Sequence, residues 1–155
     1  MNSTMTILRV MPGCKPERIE IPHTLEAMQT VVGGYIQAIY SYEDMVAIVC
    51  NEEGKLLGME PNRAVRNEEG DIVDIISGTF FICGLSTEDF CSLTEKQIEK
   101  YSKIFEQPEL FFWNGRQLIV LPAGISVHKD ARYAVTTYRV SSILCSASLQ
   151  YVHFQ

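Results

Sequence analysis

The sequence has no C-x-x-C pair, no G-x-x-x-x-G-K-[ST] loop, no G-x-G-x-x-G, no G-x-S-x-G and no H-E-x-x-H. Each absence removes a class. A P-loop nucleotidase, a dinucleotide-binding βαβ unit and a zincin are disfavoured. So is an α/β-hydrolase with a nucleophile elbow. The cysteines, Cys14, Cys50, Cys83, Cys91 and Cys145, are odd in number and unpaired in spacing, so neither a zinc site nor a disulfide framework is expected. No apolar run approaches the ~18 residues of a membrane span. The start, MNSTMTILRVMPG, lacks the basic and then long apolar pattern of a signal peptide, so a reducing cytoplasm is expected.

Basic charge is also scarce. Thirteen Lys/Arg face nineteen Asp/Glu in 155 residues, a net of -6, which argues against a protein held on nucleic acid by phosphate contacts. The deficit is uneven. Through Leu121 there are ten basic and eighteen acidic residues; from Pro122 onward there are three and one. The tail is a different kind of segment from the body.

What is present reads as one α+β domain over residues 5–121, a mainly antiparallel sheet with two short helices. Residues 122–155 form an atypical extension, expected to pack poorly on the body. Thr6–Val10 and Arg18–Ile21 read as strands. Thr24 caps a helix over LEAMQTVV with Leu25, Met28, Val31 and Val32 on one face, stopped by Gly33-Gly34. Tyr35–Tyr40 and Met45–Cys50 read as strands flanking the turn SYED. The second is continuously apolar and therefore central, with Cys50 a buried hydrophobe. Asp71–Leu85 reads as two strands meeting near Ser77-Gly78. Thr94 and Gln97 have capping-box spacing, Leu93 and Ile98 that of a hydrophobic staple, and Ile98, Tyr101 and Phe105 make one apolar helix face. Asn114-Gly115 between Leu110–Trp113 and Leu118–Leu121 signals a hairpin.

The stretch NEEGKLLGMEPNRAVRNEEG, residues 51–70, carries the candidate site. The tetrapeptide Asn-Glu-Glu-Gly opens and closes it, and Pro61-Asn62-Arg63 lies between, read as a turn of helix or a loop. A guanidinium offers a fork of donors for a carboxylate or phosphate, and Asn62 adds a donor and an acceptor. Asn62 and Arg63 are the expected ligand contacts, with Lys55, Thr79, Asn51 and Glu53 beside them. No cofactor, metal or catalytic residue is assigned. The plain alternative is two solvated turns with surface ion pairs. A second candidate is an aromatic groove of Tyr35, Tyr40, Tyr42, Phe80, Phe81, Phe112 and Trp113, although aromatics on strands are more often core.

The blocks VGGYIQAIY, IVCNEEGKLLGMEPNRAV, DIISGTFFICGL and LTEKQIEKYSKIF occur in this order. Over residues 5–121 the chain resembles domain of unknown function 3846, small proteins of phages, plasmids and conjugative elements of Gram-positive bacteria. The resemblance implies no reaction, substrate or cofactor. Its context implies a non-enzymatic binding protein that interferes with a host system, by holding a small nucleotide-like ligand or by capping a host protein. Two alternatives stand beside it. One is a small hydrolase or transferase using carboxylates of residues 51–74 as acid and base. The other is a homo-oligomeric module joined through an exposed strand edge.

Overall fold

The structure is a computed structural model that describes residues 3–123. Of the extension expected over 122–155, everything from residue 124 lies outside the described residues. The core is a sheet built from β1 (Thr4–Val10), β2 (Glu17–Pro22), β3 (Ile36–Ile39), β4 (Val46–Asn51) and β7 (Phe80–Leu85), in the order β2-β1-β7-β4-β3. All pairings are antiparallel, and the short β8 (Phe90–Cys91) adds to β7 beside the end of β1. This is the α+β, mainly antiparallel architecture that the strand and helix pattern predicts.

Alternation along the strands explains why the sheet is covered on both sides. On β4, Val46, Ile48 and Cys50 face one way and Ala47 and Val49 the other, and all are buried. The second face meets α1 (Leu25–Val32) through Met28 and Val32, together with Met5, Ile7, Phe81 and Cys83. Thr24 caps this helix by accepting from the Ala27 N–H at 3.1 Å, and the Gly33 N–H closes it on the Gln29 carbonyl. Leu25, expected on the buried face, is instead half exposed.

The first face meets α2 (Glu95–Ile104) and a hairpin of β5 (Pro61–Arg66) and β6 (Ile72–Ser77). The predicted capping box is present: the Gln97 N–H donates to Thr94 Oγ1, and the Thr94 N–H to Gln97 Oε1. Tyr101 and Phe105 enter the core, Phe105 edge-on to Phe80 with ring centres 5.3 Å apart. A second hairpin, β9 (Glu109–Trp113) and β10 (Leu118–Pro122), turns through Asn114–Gln117 rather than through two residues. Its Phe111, Leu118 and Val120 pack on Ala64 and Ile72, on the outside of the β5–β6 hairpin.

Candidate functional site

Pro61-Asn62-Arg63, expected in a loop or helical turn, opens strand β5. Pro61 needs no ladder N–H at a strand start, which is where sheets tolerate it. The two polar side chains that follow are 1% exposed. Asn62 Nδ2 donates to the carbonyls of Val10 and Gly78, each at 2.9 Å. Arg63 donates from Nε and Nη2 to the Phe105 carbonyl, from Nη2 to the Cys14 carbonyl, and from Nη1 to Asn62 Oδ1 at 3.0 Å. Burial is the main influence lowering the guanidinium's hold on its proton, with the Glu109 carboxylate opposing it. Arg63 remains charged, as arginine does in proteins. Apart from the bond between the two side chains, both direct their donors at main-chain carbonyls of the fold itself. The pair braces β5 against the end of β1, the loop after it, and the end of α2.

The twin tetrapeptides are the same turn built twice. In the first, Asn51 Oδ1 accepts from the Glu53 N–H and the Asn51 carbonyl from the Gly54 N–H. In the second, Asn67 Oδ1 accepts from the Glu69 N–H and the Asn67 carbonyl from the Gly70 N–H. Asn at the first position and Gly at the fourth are the signature of such a turn. The final glycines answer different needs. A Cβ on Gly54 would sit 2.6 Å from the Ser77 carbonyl oxygen, whereas Gly70 has open space but a φ of 87°. The first turn packs at the open end of the β5–β6 hairpin and the second is its tip, so six residues of strand separate them by roughly 20 Å.

The remaining expected contacts divide accordingly. Asn51 is buried and donates from Nδ2 to the Val32 carbonyl at the end of α1. Lys55 pairs with Asp74 at 2.6 Å, half buried, and both line a cleft with Asn51, Gln37 and Leu56. Glu53 lies beside a smaller cleft with Asn51, Tyr35 and Leu57. Thr79 is half-buried in the connection between β6 and β7. The structure therefore brings Asn51, Lys55 and Glu53 around one end of the sheet and places Asn62 and Arg63 inside the core. Cys50 and Cys83 are buried as well, and burial pushes their thiols up to about 11 and about 12.

Two clefts larger than those beside Asn51 lie elsewhere among the described residues. A cleft of about 460 Å³ is lined by Tyr42, Glu43, Asp44, Arg66, Asn67, Glu68 and Lys100. A second of about 450 Å³ shares Tyr42, Glu43, Asn67 and Glu68 with it and adds Tyr40, Ser41 and Glu69. The two adjoin through these shared residues, in a trough-like region between the β3–β4 turn, the second NEEG turn and α2. Its floor is held by charge. Asp44 accepts from Lys100 Nζ and from the Tyr101 hydroxyl, and these bonds hold its carboxyl below the usual range. Arg66 grips Glu109 with both terminal nitrogens, at 2.8 and 3.3 Å. Burial pushes the Tyr42 hydroxyl up to about 12, with Arg66 opposing. Tyr40 is 64% exposed. Of the aromatic set, Phe80 and Phe81 are core, while Tyr40 and Tyr42 line the trough. From the sequence, SYED reads as a turn, and Tyr40 and Tyr42 enter only as members of the broad aromatic set; Glu43, Asp44, Arg66 and Lys100 carry no signal of their own there. Tyrosines at and just before such a turn, with two acids beside them, are the available signal for a surface site.

The model of the family described as Domain of unknown function (DUF3846) matches residues 5–106. The chain belongs to this family. The match stops short of the 5–121 over which the sequence blocks suggest resemblance, so the β9–β10 hairpin lies beyond the family segment. No curated protein and no solved structure matches the chain. Among the described residues, no three His, Cys, Asp or Glu side chains are placed to hold a metal ion. No helix among them is long and apolar enough to cross a membrane.

Proposed function

We propose that this chain is a non-enzymatic binding protein of a phage or other mobile element. In this reading it acts in the cytoplasm of its bacterial host and holds a small nucleotide-like ligand in the trough. One observation carries it: two clefts that share Tyr42, Glu43, Asn67 and Glu68 set an exposed tyrosine, carboxylates and a lysine side by side on one surface. The Tyr40 ring offers a stacking face, and stacking on an aromatic tolerates any base. Glu43 and Glu68 are acceptors of the kind that ribose hydroxyls use. Lys100, with three donors and only one directed at Asp44, supplies positive charge for a phosphate.

Calorimetric titration with nucleoside mono-, di- and cyclic phosphates tests this. Tyr40→Ala and Lys100→Met are expected to weaken binding by about tenfold or more. Lys103→Met, on the same helix but paired with Glu99, is expected to leave it unchanged. No binding by any nucleotide, or equal loss in all three variants, would overturn the reading.

A further inference from the structure

We infer that β3 is a self-pairing edge: two copies of the chain join antiparallel through β3 about a two-fold axis at Gln37. Among the described residues, β3 and β2 are the two outer strands of the main sheet. The two edges differ in kind. β2 carries Glu17, Arg18 and Glu20 and ends at Pro22, the usual means of blunting an edge. From Gly33 to Ser41, GGYIQAIYS contains no charge and no proline. An unprotected edge of this kind is a template for another strand.

The hydrogen-bond pattern fixes what the edge presents. The Glu52 N–H donates to the Tyr35 carbonyl, so Tyr35 is bonded to β4, and the register continues as Ile36 opposite Asn51 and Gln37 opposite Cys50. In an antiparallel ladder bonded and non-bonded pairs alternate. Gln37 and Ile39 therefore direct their main-chain groups at β4, and Ile36 and Ala38 direct theirs outward. Two copies related by an axis at Gln37 bring the N–H and C=O of Ile36 opposite the C=O and N–H of the other copy's Ala38, and the reverse. Every outward group within β3 is then satisfied.

The occupant follows from charge. A second copy meets this edge with its own uncharged strand, so no like charges face each other, although each chain carries a net of -6. Gln37, exposed, lies beside its own counterpart, where one amide can donate and the other accept. Two exposed leucines flank the joint, and removing them from water adds to the pairing. Leu56, 79% exposed, lines a cleft with Gln37 and Ile39 on the hairpin face. Leu57, 60% exposed, lines one with Gln29 and Gly33 on the α1 side. The pairing ends at Ala38 and leaves Tyr40 at its margin.

Sedimentation equilibrium of the full chain tests this. The expected mass is twice 17.5 kDa. Gln37→Lys places two ammonium groups across the axis and is expected to weaken self-association about tenfold or more, with melting of the monomer unchanged. Mixing the Gln37→Lys and Gln37→Glu chains is expected to restore the dimer, which only a meeting of the two Gln37 positions explains. Ala38→Pro removes an outward N–H without touching the β4 ladder and should act like Gln37→Lys. A wild-type chain that stays monomeric overturns the inference, whether its edge is bare or covered by another segment or an extended peptide. So does a dimer that Gln37→Lys leaves intact.

Discussion

Arg63 Nε and Nη2 both donate to the Phe105 carbonyl oxygen, at 3.2 and 3.0 Å. Phe105 is the C-cap residue of α2, where the helix leaves carbonyls unpaired and the dipole is negative. A buried guanidinium on that oxygen joins β5 to the helix by charge and hydrogen bond together. Replacing Arg63 with Met keeps the stem and strips the donors from the Phe105 and Cys14 carbonyls. The loss is expected to be about 3 kcal/mol of folding stability, measured by urea denaturation. Arg63→Lys should rescue little of it, because one compact ammonium cannot serve carbonyls that lie on different elements.

Asn62 gives a sharper test of the same brace. Its amide nitrogen faces two carbonyl oxygens and its oxygen faces Arg63. Asn62→Asp conserves shape but turns donors into acceptors toward Val10 and Gly78. Thermal melting should show Asn62→Asp destabilised by about 2 kcal/mol or more at neutral pH. Melting like wild type would show that Nδ2 does not face the Val10 and Gly78 carbonyls.

The twin turns predict different sensitivities at matching positions. Gly54→Ala drives a Cβ against the Ser77 carbonyl, which is backbone and cannot step aside, and is expected to cost about 2 kcal/mol. Gly70→Ala meets no neighbour but keeps a left-handed φ, with an expected cost of about 1 kcal/mol. Gly70→Asn should cost less, since Asn tolerates that region. The same substitutions at Gly54 should show no preference for Asn over Ala. Urea midpoints of the four variants decide it.

Asp44 predicts an acid limb in stability. Hydrogen bonds from Lys100 and Tyr101 hold its folded-state carboxyl below the unfolded value of about 3.9. Its contribution is therefore fully present above that value and is lost as pH falls through the lower folded value. Asp44→Asn should melt lower than wild type near neutral pH, and the gap should narrow as pH falls into the acid range. A constant gap across that range would show that the carboxylate's charge contributes nothing.

The parts of the fold that could be read from sequence are those governed by local pattern. The Thr94–Gln97 box, the α1 stop at Gly33 and the centrally buried β4 each follow from residues adjacent in the chain. β5 was hidden because its first residues are Pro, Asn and Arg, types that favour loops unless tertiary partners satisfy them. Those partners are Val10, Cys14, Gly78 and Phe105, far away in sequence. The same distance explains the site residues. Arg63 has the chemistry of a ligand clamp, and only the fold shows that its partners are internal. Tyr40 and Tyr42 are legible only as members of a broad aromatic set and Lys100 not at all, because the approach of α2 to two turns is what brings them together.

The β9–β10 hairpin lies outside the family segment, yet Phe111, Leu118 and Val120 cover Ala64 and Ile72. Glu109 adds an acceptor for the Ala64 N–H and a fork for Arg66. The two hairpins thus share one apolar layer and one ion-pair fork. A descendant that lost or replaced residues 109–122 would leave an oily strand face bare to water. It could persist only by changing Ala64 and Ile72 to polar residues, or by acquiring a new cover of matching shape.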